Sequence, residues 1–81
     1  MAEKIERVVY QSLAAQLGVA VTDLEASADR SLEELGLDSH GLMRVLLVIE
    51  QGLGLSTELD LDDEYLESPR SLCAGVAAAV A

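Results

Sequence analysis

The chain has 81 residues, of which 15 are acidic and five are basic, so its formal net charge is −10 at pH 7. A chain of this length forms one domain, and its core must be aliphatic because there is no Trp and no Phe. The charge argues against binding to nucleic acid or to anionic membranes and favours partner proteins with basic surfaces.

Cysteine content and the chain ends bear on where the protein resides. Cys73 is the one cysteine, which excludes an internal disulfide and favours a reducing compartment. The N-terminal ten residues lack the apolar segment of a signal peptide, and residues 72–81 are too short a run to span a bilayer. We expect a cytoplasmic, monomeric, free-standing protein, with residues 1–81 forming a single domain.

The first predicted element is an amphipathic helix over residues 3–17, followed by Gly18 at the position where glycines end helices. Residues 19–30 lose this periodicity and are predicted to be a loop. Farther along the same connection, Ser31 and Glu34 resemble a capping box, which predicts a single helical turn that Gly36 ends. Three leucines are expected to anchor the loop to the core: Leu32, Leu35 and Leu37.

A second helix is predicted from the N-cap Asp38 to about Gln51, with Gly52 and Gly54 ending it. Residues 58–67 hold six acids and are predicted to contain a short helix or helical turn. Ser68 followed by Pro69 is typical of a helix start and predicts a last helix. No segment alternates as a strand would. The expected fold is all-α, a small four-helix bundle of three main helices and one short helix, with a long first loop.

Asp38, Ser39 and His40 are adjacent, and these residue types form the triad of many hydrolases. Neighbouring side chains on a helix point roughly 100° apart, so these three cannot converge. The nucleophile-elbow pattern G-x-S-x-G is also broken, because Leu37 replaces its first glycine and only Gly41 fits. The sequence therefore argues against a hydrolase. That Ser39 merely belongs to a helix cap stays open at this point.

The segment LEELGLDS, residues 32–39, precedes an apolar helix and resembles the signature of acyl carrier and peptidyl carrier proteins, L-G-x-D-S-L. The resemblance covers nearly the whole chain: a first helix, a long loop, the D-S motif opening a second helix, an acidic short helix and a final helix. Leu32 and Leu35 match the family's apolar loop anchors. Glu50 matches an acid that is common near the end of its second helix.

The resemblance implies that Ser39 receives 4′-phosphopantetheine from coenzyme A through a Mg²⁺-dependent phosphopantetheinyl transferase. It also implies that Asp38 helps the transferase hold its metal. The chain would then carry acyl or aminoacyl groups as thioesters, without catalysis of its own. Its expected partners are the transferase, a loading ligase and downstream synthase or tailoring enzymes. A helix N-terminus suits the resulting phosphodiester, because it offers unpaired N–H groups and a positive dipole end.

The second helix carries a core-facing row and an opposite row that contains Met43 and Leu47. Because the family docks partners through this helix, these two residues are predicted to be exposed contacts, although their burial is an open alternative. Arg44 and Gln51 stand where fatty-acid carriers often have acids, which favours a specialised pathway of polyketide or nonribosomal peptide type. The residues predicted to contact partners are His40, Met43, Arg44, Leu47 and Glu50.

His40 departs from the family pattern, which has Leu, Ile or Met after the serine. It is either a tolerated exposed residue or one that adjusts partner choice or contacts the arm's phosphate when protonated. The acidic residues 58–67 do not form a calcium loop, because an EF-hand beginning at Asp60 would need Gly and Glu where Tyr65 and Ser71 stand. Cys73 is predicted to be a small core filler. The alternative function is an acidic helical adaptor without a prosthetic group.

Overall fold

The computed structural model describes residues 2–56 and 58–80, and within them the chain is all-helical without strands. Three main helices pack together: α1 (Ala2–Leu17), α3 (Ser39–Leu53) and α4 (Pro69–Val80). A short 3₁₀ helix (Asp63–Leu66) lies in the acidic segment, where a helical turn was predicted, and packs on α4. α1 contacts both α3 and α4. The predicted all-α bundle is therefore confirmed.

The prediction of a loop over residues 19–30 is wrong in its middle part, because α2 (Val21–Ala26) lies there. Its N-cap, Ala20, has no side chain that could accept a hydrogen bond from the helix. A six-residue helix is too short for a visible periodicity, and one without a cap depends on tertiary contacts. Leu24 supplies them, since its side chain is buried against the core and only 2% exposed.

The core is aliphatic, as the composition requires. It gathers side chains from all four helices and from the long connection between α2 and α3. α1 is the central helix of the bundle, because both α3 and α4 pack against it. The buried members are Ile5, Val9, Leu13, Ala14, Leu24, Leu32, Leu37, Val45, Ile49, Leu72 and Val76.

The connection before α3 is held to the core as the sequence predicted. Leu32 and Leu37 are buried and Leu35 is partly buried. The Leu32 N–H donates to the Glu67 carbonyl at 2.8 Å, which ties the loop to the segment before α4. Only half of the capping box forms. The Ser31 hydroxyl accepts from the Glu34 N–H at 2.9 Å, whereas the Glu34 carboxylate accepts from Arg30.

Of the two glycines predicted to end the second helix, only Gly54 does so. Its φ of 67° lies in the left-handed region that favours glycine, and its N–H donates to the carbonyls of the last turn. Gly52 instead lies inside α3, so that part of the prediction is wrong. A Cβ at Gly52 would stand 2.9 Å from Val8 Cγ1. The glycine therefore allows the close approach of α1.

Candidate functional site at the start of the third helix

Asp38 caps α3 as predicted. Its backbone is extended, with φ −90° and ψ −179°, and its Oδ1 accepts a hydrogen bond from the Gly41 N–H at 2.7 Å. Gly41 is buried, and a Cβ there would meet Leu37 Cδ1 at 2.8 Å. The buried leucine and the cap together fix where the helix begins. Ser39 is therefore held as the first helical residue by neighbours on both sides.

Ser39 is exposed, and its hydroxyl takes part in no hydrogen bond among the described residues. The N–H groups of Ser39 and His40 likewise have no acceptor within residues 2–56 and 58–80, since they begin the helix and Asp38 accepts from the N–H of Gly41 instead. Free N–H groups at the positive end of a helix dipole stabilise an anion. The site thus combines an accessible hydroxyl with donors suited to a phosphate ester.

The same geometry gives the Ser39 hydroxyl no general base from the described side chains. The Asp38 carboxylate is engaged by Gly41, and no hydrogen bond joins it to the exposed His40. A hydrolytic triad needs nucleophile, base and orienting acid in one hydrogen-bonded line. The arrangement therefore fits modification by another enzyme better than self-contained nucleophilic chemistry.

A shallow open groove of about 550 Å³ lies beside Ser39. One wall comes from the loop that precedes α3 and the other from α3 itself and the 3₁₀ helix. Most of its lining is apolar, and Asp38 and Glu33 are its charged lining residues. A group attached to the serine would therefore have an apolar surface next to it. The apolar lining residues are Leu32, Leu37, Leu42 and Leu66.

The outward side of α3 carries the exposed apolar residues that the sequence indicated. Met43 is 69% exposed and Leu47 is 53% exposed, so the open alternative that both are buried is wrong. His40 and Arg44 are exposed beside them. Sequence reasoning missed Val48, which is 48% exposed. The sequence did offer a signal for this exposure, because Val48 belongs neither to the core-facing row of α3 nor to the row of Met43 and Leu47.

Glu50 differs from the other residues predicted to contact partners. It is only half-exposed, and its Oε2 accepts a hydrogen bond from the Leu59 N–H at 3.0 Å. That contact spans nine residues and ties the chain after α3 back to the helix. The structure therefore gives Glu50 an internal role in holding the acidic segment, which the sequence pattern did not reveal.

Cys73 lines a groove between α1, α2 and α4 and is partly buried against the core. Burial, together with the nearby Glu6 carboxylate, raises the pKa of its thiol to about 11. The thiolate is the nucleophilic form, so this environment suppresses reactivity. The prediction that Cys73 is a core filler is consistent with both observations.

Cys73 of the apo protein is expected to react with iodoacetamide about 100-fold more slowly at pH 8 than an ordinary thiol, with the rate rising toward pH 11. Because the folded-state pKa is raised, the unfolding free energy should also fall between pH 9 and pH 11. A Cys73→Ala, Ala78→Cys variant moves the thiol to an exposed position of α4 and serves as the control. Equal rates for the two proteins at pH 8 would refute the suppression.

Two further findings concern metals and membranes. Across residues 2–56 and 58–80, no three His, Cys, Asp or Glu side chains are gathered to hold a metal ion. No helix in the described part of the chain has both the length and the apolar character that crossing a bilayer requires. The six acids of residues 58–67 are exposed around the 3₁₀ helix.

The fold and the site define a class, a small helical bundle that presents a capped, exposed serine at a helix start. A family model described as a phosphopantetheine attachment site matches residues 7–76. The chain therefore belongs to the acyl and peptidyl carrier protein family, whose members hold covalently attached 4′-phosphopantetheine. Comparison with curated proteins and with solved structures gives no significant match.

Proposed function

We propose that Ser39 is the attachment point for 4′-phosphopantetheine and that the chain is a single carrier domain for acyl or aminoacyl intermediates. The observation that carries this proposal is the exposed Ser39 hydroxyl, free of hydrogen bonds within the described residues, beside the capping Asp38. The family match to residues 7–76 supports it, because that span contains the serine within its expected motif.

The residues at the start of α3 fit the group. Ser39 Oγ would form the phosphodiester, and the free N–H groups of Ser39 and His40 would stabilise its negative charge. Asp38 keeps the helix start ordered through its bond to Gly41, and it would help the transferase hold its Mg²⁺. When bound, phosphopantetheine supplies a terminal thiol that holds the cargo as a thioester.

The partners would be a phosphopantetheinyl transferase, a ligase that loads the acyl or aminoacyl group, and synthase or tailoring enzymes that use it. The exposed side of α3, with Met43 and Leu47, is the proposed contact surface. Arg44 and Gln51 replace acids that fatty-acid carriers often have. This replacement favours a specialised pathway of polyketide or nonribosomal peptide type.

His40 stands next to the attachment point and is exposed in the first turn of α3. A protonated imidazole there would add positive charge where the phosphodiester is anchored. We propose that His40 adjusts partner choice or contacts this phosphate; a Leu, Ile or Met at the same position could not contact the phosphate through charge or a hydrogen bond.

The proposal is tested by incubating the apo protein with a broad-specificity transferase, Mg²⁺ and coenzyme A, and then measuring its intact mass. The expected result is quantitative gain of one phosphopantetheine group. An unchanged mass with several transferases would contradict the carrier function and favour the acidic adaptor. Circular dichroism of the same sample verifies that the protein tested was folded.

A further inference from the structure

The acidic residues are unevenly distributed along the chain. Residues 8–22 and 39–49 contain no Asp or Glu, although the whole chain has 15 of them. The first stretch carries no charge at all, and the second carries one formal charge, that of Arg44. In a protein of net charge −10, two stretches of this composition mark a surface of different character.

These two stretches are neighbours in the fold. A Cβ at Gly41 would lie 3.4 Å from Gln16 Nε2, and one at Gly52, just past the second stretch, would lie 2.9 Å from Val8 Cγ1. α1 and α3 therefore run side by side in opposite directions. The exposed positions on the second half of α1 are uncharged: Gln11, Ala15 and Gln16.

All the large apolar side chains found exposed in the described residues belong to the same two stretches. Met43 and Leu47 are joined by Val48 at 48% and by Val19 at 43%, which follows α1. We call the surface made by the exposed residues of α1 and α3 within these stretches the α1–α3 face: Gln11, Ala15, Gln16, Met43, Arg44, Leu47 and Val48. It unites exposed apolar area with the absence of carboxylates, a combination that marks interaction sites.

Arg44 lies within the outward arc of α3 that runs from Met43 to Val48, roughly 140° at 3.6 residues per turn. The two ion pairs of residues 2–56 and 58–80 use Arg30 and Arg70, so Arg44 pairs with no described acid. The two nearest acids along the chain, Asp38 and Glu50, accept from the N–H groups of Gly41 and Leu59. The guanidinium is thus available to a carboxylate from outside.

We propose that the α1–α3 face docks partner enzymes whose surface is apolar and carries a carboxylate opposite Arg44. This inference rests on the proposed carrier function, since α3, which contributes half of the face, begins at Ser39. A second copy of the chain is a poor occupant, because both molecules carry −10 and the face itself contains no acid to pair with Arg44. Arg44 is then a specificity-determining residue, favouring acidic partners at this point and disfavouring basic ones.

The experiment measures the transfer of phosphopantetheine to apo variants by the transferase of the protein's own host. For Arg44→Glu, kcat/KM is expected to fall about tenfold, mainly through KM, while Arg44→Lys stays within about twofold. The matched control is Arg7→Glu, the same charge change at an exposed residue of the groove between α1 and α4. It should stay within about twofold of the parent chain. Leu47→Gln should fall about fivefold, because it removes apolar contact.

The outcomes separate this inference from the proposed function. If the parent chain accepts no phosphopantetheine, the carrier function fails and the inference fails with it. If the parent chain is modified but Arg44→Glu and Arg7→Glu behave alike, the carrier function stands and the inference is overturned. Faster modification of Arg44→Glu would also overturn it, because it would show a basic partner surface. Thermal unfolding of each variant verifies that the fold is intact.

Discussion

Ser39→Ala is expected to abolish phosphopantetheine transfer completely while leaving the fold unchanged. The hydroxyl is the only group at this position that can form the ester, so its loss should reduce the added mass below detection. Stability should change by less than about 0.5 kcal/mol, because Asp38 and not Ser39 provides the cap of α3. Intact mass and thermal unfolding of the same preparation measure both effects.

The matched control is Ser56→Ala, which removes an exposed hydroxyl beyond the end of α3. That variant should be modified as fully as the parent chain. Continued modification of Ser39→Ala would show that the arm is attached elsewhere, and the account of the helix start would then be wrong. A large loss of stability in Ser39→Ala would contradict the assignment of the cap to Asp38.

Leu72→Ala is expected to have the largest effect on stability. Leu72 is fully buried in the core where α4 packs, and truncating such a leucine costs about 2–5 kcal/mol. A domain of this size has roughly 4–12 kcal/mol in total, at 0.05–0.15 kcal/mol per residue. The variant should therefore lose roughly a sixth or more of its stability, and urea unfolding monitored by circular dichroism measures the loss.

Leu47→Ala makes the same chemical change at a leucine that is 53% exposed. It should cost less than about 1 kcal/mol, because little apolar area leaves the interior. Comparable losses in the two variants would mean that Leu47 is packed as tightly as Leu72. That result would contradict both the described core and the exposed α1–α3 face.

Local signals in the sequence predicted the elements that position the site. Asp38 marks the start of α3, Pro69 the start of α4 and Gly54 the end of α3. Each works through a short-range property: a side-chain acceptor, a fixed φ or a positive φ. The exposure of Met43 and Leu47 followed from helical periodicity, which separates a core-facing row from an outward one.

What the sequence did not predict depends on contacts between distant segments. α2 is stabilised by the burial of Leu24 in the core, and no N-cap residue in the sequence indicates that a helix begins there. Gly52 resembles a helix terminator until Val8 is seen to pack on it. Glu50 matched a family position, but its bond to Leu59 N–H spans nine residues and a loop. The α1–α3 face could not be predicted either, because the sequence does not show that α1 and α3 are neighbours.

Tandem mass spectrometry of the protein isolated from its own host tests the central claim most directly. The predicted result is one phosphopantetheine group, released on fragmentation from the peptide that contains Ser39 and from no other. An arm found on Ser31, Ser56 or Ser68, or a chain that carries none while the host's carriers are loaded, would contradict the account.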